Sequence, residues 1–256
     1  MKTTLATIAL SALLLPGILS AEMSTEEIAK ASQNPLTAMY SLPIQNNTYL
    51  GDEVRNMANI QPVLPFDIGD DWTLVTRTIL PVTYNGYSDT WGLSDTTMTG
   101  FFTPKKTGPS GIVWGVGPTV LIPTSIDNSL GFGEWGAGVS AVALAMHGKW
   151  VYGGLISNVW SFTGDSSVNS MTLQPFVNYN LGDGLFIASV PIITADWKAD
   201  SDNRWVVPLG LGVGKAMKMG STPFTAQIHA YYNVIAPEAR NEDWQMRVQV
   251  QWLFPR

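Results

Sequence analysis

The chain has 256 residues, of which 13% are charged, with a formal net charge of -6 and no cysteine. An acidic balance excludes a nucleic-acid partner, whose phosphates demand a basic surface, and the missing cysteines exclude disulfide staples and thiol chemistry. Soluble domains carry about a quarter charged residues, so this scarcity points to a chain with much of its surface in lipid.

In chain order, Lys2 precedes the apolar run Leu5 to Leu15, then Pro16, Gly17 and the small exit residues Ser20 and Ala21. This is the layout of a secretory signal peptide, expected over residues 1–21 with cleavage after Ala21. The run is too short to cross a bilayer as a helix, and no later stretch offers about 18 consecutive apolar residues. Residues 22–35 hold a short amphipathic helix: Ser24 and Glu27 stand at capping-box spacing, Ile28 and Ala31 share a side, and Asn34 and Pro35 end it.

From residue 36 to 256 the pattern is β. Turn signals separate about twelve strand candidates, at 38–49, 54–66, 71–84, 95–104, 111–123, 134–147, 149–162, 168–181, 184–197, 203–216, 222–235 and 242–254. The last is the clearest: Trp244, Met246, Val248, Val250, Trp252 and Phe254 alternate with Gln245, Arg247, Gln249 and Gln251. Successive strand side chains point to opposite faces, so one face is apolar with an aromatic residue near each border, as at the two interfaces of a bilayer. The same alternation runs through 223–234, 170–180 and 54–66. A soluble sandwich would show it too; the secretory leader decides for a bacterial outer membrane.

The fold expected is therefore all-β, a transmembrane antiparallel barrel of about twelve strands with a short N-terminal helix, partnered by outer-membrane lipid and the barrel-assembly machinery. Compact turns at 67–70, 147–149, 181–184 and 217–221 belong on the periplasmic side; the longer links at 85–95, 125–133, 163–167, 199–203 and 237–243 belong outside. The 104–110 link is long for its periplasmic place. Gly115, Gly117, Gly210, Gly212 and Gly214 leave bare interior positions, which either ease barrel curvature or admit another element, such as the N-terminal segment, into the lumen.

The stretches Asn34 to Thr48 (NPLTAMYSLPIQNNT), Asn59 to Pro65 (NIQPVLP) and Trp72 to Pro81 (WTLVTRTILP) resemble bacterial outer-membrane barrels of the meta-pathway phenol-degradation (MetA-like) group, some of which carry a misleading neuromedin U label. The resemblance runs from about Asn34 to the C-terminus. It implies a barrel tied to uptake of small, often aromatic or hydrophobic, compounds, and it supplies no binding residues.

Arg55, Arg77 and Arg247 fall on lumen-facing positions of strands that become neighbours once the ends pair. Charge is costly on a lipid face, so a basic strip inside the barrel is expected. It either holds carboxylates, with Gln45, Asn47, Gln61, Gln249 and Gln251 as hydrogen-bonding neighbours, or pairs with acidic residues across strands. His229 faces the lumen with Gln227, Tyr231 and Asn233 beside it; His147 sits in a turn. These are the only two histidines, and no GxSxG, HExxH or clustered ligand set is present. An enzyme is not expected, nor a metal or cofactor. The function expected is passive passage of small organic solutes, including aromatic or hydrophobic acids. The alternatives are a barrel enzyme acting on lipid and a plugged structural or adhesive barrel, because about twelve strands enclose little more than side chains can fill.

Overall fold

The computed structural model describes residues 23–165, 168–238 and 242–256, so the expected signal peptide lies outside the described residues. Helix α1 (Thr25–Ser32) precedes fifteen strand segments. They are β1 (Tyr40–Leu50), β2 (Val54–Ile60), β3 (Val63–Ile68), β4 (Trp72–Asn85), β5 (Thr90–Leu93), β6 (Thr96–Pro104), β7 (Val113–Ile122), β8 (Gly136–His147), β9 (Trp150–Ser161), β10 (Asn169–Gly182), β11 (Leu185–Ser189), β12 (Ile193–Asp196), β13 (Trp205–Met219), β14 (Thr222–Ile235) and β15 (Trp244–Phe254). All pair antiparallel, and the sheet closes on itself, β15 lying beside β1 and β9 beside β10.

Three wall strands are broken, which is how fifteen segments make the expected twelve. β2 gives way to β3 at Gln61 and Pro62, and β11 to β12 across Val190, Pro191 and Ile192. Proline has no N–H for the ladder, so pairing lapses at both places. The third break, Ser94 and Asp95 between β5 and β6, corrects the sequence reading. The strand expected from residue 95 begins at Thr90, where Thr90–Leu93 pair with Val82–Asn85, and the 85–95 link shrinks to residues 86–89. Asp95 reads as a loop residue because its carboxylate serves a loop, as shown below. Asp67, expected in a turn, lies within β3 instead, one residue before its end, and its carboxylate pairs with Lys105 and Arg256.

The faces follow the expected alternation. Along β15, Trp244, Met246 and Val248 are exposed while Gln245 and Arg247 are buried. On β14, His229, Tyr231 and Asn233 are buried between exposed Ile228, Tyr232 and Val234. Exposed apolar side chains cover the outer wall, which is a surface suited to hydrocarbon rather than water. Packed aromatic pairs mark both rims: Tyr232–Trp244 and Trp197–Trp205 at the end carrying the long loops, Trp72–Trp114 and Trp150–Tyr179 at the end carrying the tight turns and both ends of the described chain.

Between those rims Val250 points outward and its neighbour Gln249 points in. Val250→Arg is expected to cost about 2–4 kcal/mol of folding stability in bilayers and Gln249→Arg clearly less; urea titration of vesicle-embedded protein, followed by heat-modifiability, measures both. Equal losses would contradict the assignment of faces.

Candidate solute-binding lumen

The chain's own N-terminal segment packs into the turn end of the lumen. The capping box expected at α1 is present: the Ser24 N–H donates to Glu27 Oε2 at 2.7 Å and the Glu27 N–H to Ser24 Oγ at 3.2 Å. The helix buries Ile28 and Ala29, its neighbour Ala31 being partly covered, against Phe186, Ala188, Ala216 and Leu253 of the wall. Past the helix, Gln33 and Asn180 exchange two amide hydrogen bonds of 3.0 and 3.1 Å. Leu36 then enters an apolar cluster with Val63, Val75, Phe101, Leu155 and Phe176.

Both readings of the interior glycines hold, at different positions. A Cβ on Gly115 would stand 3.2 Å from the Leu36 methyls, and one on Gly214 would strike the Phe186 ring, which packs against α1. Gly117 and Gly210 instead lie against strand carbonyls, those of Gly100 and Ala230, so there the missing side chain lets neighbouring strands approach.

The loop end holds a cavity of about 480 Å³ whose walls include Phe101, Leu121, Val159 and Val168. Part of its lining comes from the 123–135 connection, whose residues 125–133, expected as an outer loop, instead fold inward, burying Leu130. Asp95 fastens it by accepting from the Ser125, Phe132 and Gly133 N–H groups at 3.2, 2.6 and 3.1 Å.

A second cavity of about 140 Å³ lies toward the turn end, floored by Gln33 and Asn34. Gln45, Gln61, Arg77, Leu155 and Gln174 border both spaces, so Arg77 stands where they meet.

The three expected arginines divide. Arg55 is paired, its Nε and Nη2 donating to the Glu242 carboxylate at 2.8 and 2.9 Å, with Tyr49 under its guanidinium at 3.9 Å. Arg77 and Arg247 bond only to neutral acceptors in the described structure. Arg77 Nη2 donates to Gln61 Oε1 at 2.5 Å. Arg247 donates from Nε to Asn47 Oδ1 at 2.8 Å and from Nη1 to the Val190 carbonyl at 2.7 Å, with the Tyr231 ring 5.0 Å away. An amide relay joins the two: Gln61 donates to Gln45 at 3.4 Å and Gln45 to Asn47 at 3.1 Å. Arg247 is 2% exposed, and its Nη2 has no partner. A hydrogen bond to a charged group contributes roughly 1.5–3 kcal/mol, whereas burying an ion costs several. Both guanidiniums rest on neutral acceptors and, for Arg247, the Tyr231 ring, with no opposite charge beside them among the described residues.

His229 Nε2 donates to Gln227 Oε1 at 3.1 Å, and Nδ1 accepts from the Tyr231 hydroxyl at 3.0 Å, which in turn accepts from the Val190 N–H at 3.3 Å. Gln227, His229, Gln249 and Gln251 line the smaller cavity. Tyr231 is fully buried behind it and positions His229 and the kinked Val190 rather than facing the space. Sequence reasoning missed Val190 and Glu242. Pro191 was the available signal for the kink; nothing local marked Glu242, which lies in a loop 187 residues from its partner Arg55.

No family model matches the chain, and no curated protein does. Among solved structures, an outer membrane channel from Pseudomonas putida aligns over 85% of this chain and 96% of its own, with 16% identity and a TM-score of 0.62. The outer membrane phospholipase A of Escherichia coli aligns over 90% and 98%, with 12% identity and a TM-score of 0.46. The first match shows the fold, that of an outer-membrane β-barrel. The apolar outer wall agrees with that setting.

Acid is expected to loosen the N-terminal segment. The Glu26 carboxyl lies below its ordinary 4.5 because its own N–H and that of Asp183 bond to it, and Glu27 because the Ser24 N–H and hydroxyl do. A depressed folded value means stabilisation that is present above pH 4.5 and lost as pH falls through the folded value. Protection factors of the amides over residues 25–32, corrected for the intrinsic pH dependence of exchange, should therefore fall once the pH drops below 4.5 while those of the strands persist; uniform protection factors down to about pH 3 would refute it.

Proposed function

We propose that this protein is a passive channel of a bacterial outer membrane that admits small organic solutes, with aromatic or other apolar acids as its cargo. The observation that carries this reading is the lumen itself: an apolar vestibule leading to Arg77 and Arg247, both without acidic partners among the described residues. The Pseudomonas putida neighbour is described as a channel, and the resemblance to meta-pathway barrels favours the same cargo. Passage is energetically passive in this reading, since the sequence carries no nucleotide-binding motif and an outer membrane offers no ATP. It requires the N-terminal segment to yield, since that segment floors the inner cavity.

A hydrolase fits less well. Both ring nitrogens of His229 are engaged, one by an amide and one by a phenol, so no serine hydroxyl stands where a general base would act. Purified barrel should release no fatty acid from phospholipid vesicles.

Planar-bilayer recording tests passage. Wild-type protein is expected to conduct weakly, and Ile28→Asn combined with Leu36→Asn to raise conductance several-fold by unseating the segment. Arg247→Ala should lower the anion-to-cation permeability ratio, because a fixed charge in a low-dielectric constriction biases ions strongly. A folded barrel that stays silent after the double substitution would favour a plugged structural role.

A further inference from the structure

We propose that the smaller cavity is a binding site for one organic monocarboxylate, its charged group between Arg77 and Arg247 and its apolar body directed past Leu155 into the vestibule. The proposal rests on the passage reading above, and deepens it from a pore that prefers anions to a site that holds one. Three observations support it.

The donors are set and the acceptors are used. Gln61, Gln45 and Asn47 each spend a side-chain oxygen on a neighbour, Asn47 Oδ1 taking three donors, from Gln45, Gln245 and Arg247. The oxygens of these three amides, which lie beside the arginines, are therefore turned to donors already present and away from an entering carboxylate. Second, Arg247 lines the cavity, and its buried Nη2 has no hydrogen-bond partner among the described residues. Water could satisfy its hydrogen bond but not its charge; a carboxylate does both. Third, the same wall carries Val63, Leu155 and Phe176, and Leu155 continues into the larger space. A cavity of about 140 Å³ holds a carboxylate and a few further atoms, with the remainder accommodated among Phe101, Val159 and Val168 above. Half-apolar walls disfavour a compact, fully hydrated anion such as phosphate.

Calorimetric titration of the folded full-length protein in detergent tests this with benzoate, its uncharged counterpart benzamide, and inorganic phosphate. Benzoate is expected to saturate one site, with benzamide and phosphate at least tenfold weaker. Arg77→Gln and Arg247→Gln should each weaken benzoate at least tenfold, Arg247→Lys less than Arg247→Gln, and Arg256→Gln, whose guanidinium pairs with Asp67 outside the lumen, not at all. Equal binding of benzoate and benzamide would overturn the proposal, and that comparison needs only wild-type protein, so misfolding of a variant cannot shield it. Phosphate binding as tight as benzoate would overturn it too, as would full benzoate affinity in a folded Arg77→Gln protein. Saturable benzoate binding by a barrel that passes no solute would keep the site and remove the passage reading; solute flux without saturable binding would do the reverse.

Discussion

Closure of the sheet in hydrocarbon governs everything else. Each strand N–H and carbonyl must find its partner inside the barrel, because lipid offers none, and the β1–β15 seam, in register from Tyr40–Phe254 to Leu50–Trp244, removes the last open edge. Once closed, the period-2 alternation has a single outcome. Apolar residues go out, and whatever polar or charged groups the strands carry are forced into a narrow lumen, which is where Arg77, Arg247 and His229 sit.

A lumen of this width has to be filled or solvated, and the chain fills both ends with itself. Each filler enters where the wall gives way: Leu36 over Gly115, Phe186 over Gly214 toward α1, and Val190 at a break made by Pro191. At the other end, the 123–135 loop is drawn in by one carboxylate at the β5–β6 break. The two cavities are the remainder after this packing. Residues that look like defects in the alternation are thus the ones that shape the interior.

Much of this was legible in the sequence, and the parts that were not have a common cause. Wall count, faces and the α1 capping box depend on neighbours one to four residues apart, and the sequence displays those directly. The inward fold of 123–135, the Arg55–Glu242 pair and the Gln33–Asn180 amide exchange depend on partners brought together only by closure. The arginines illustrate the boundary. Their lumen-facing placement follows from parity along β2, β4 and β15, yet whether each finds a carboxylate is decided by loops whose course alternation does not encode. One did and two did not.

The geometry also links what occupies the lumen to what closes it. Gln33 and Asn34 floor the same cavity that Arg77 and Arg247 wall, and Gln33 is held by Asn180 through neutral amide bonds rather than by charge. A neutral amide hydrogen bond contributes only about 0.5–1.5 kcal/mol net, much less than the interaction of an anion with two guanidiniums in a space of low dielectric. An occupant that recruits Arg77 and Arg247 shifts the floor only if it binds the open and closed arrangements with a difference that exceeds both these amide bonds and the apolar packing of Ile28 and Leu36. The amide relay between the arginines matters in the same way: Gln61, Gln45 and Asn47 position both cations without neutralising either. Replacing any of them by a carboxylate would offset one of the two positive charges and so weaken the distinction between an acid and an uncharged solute.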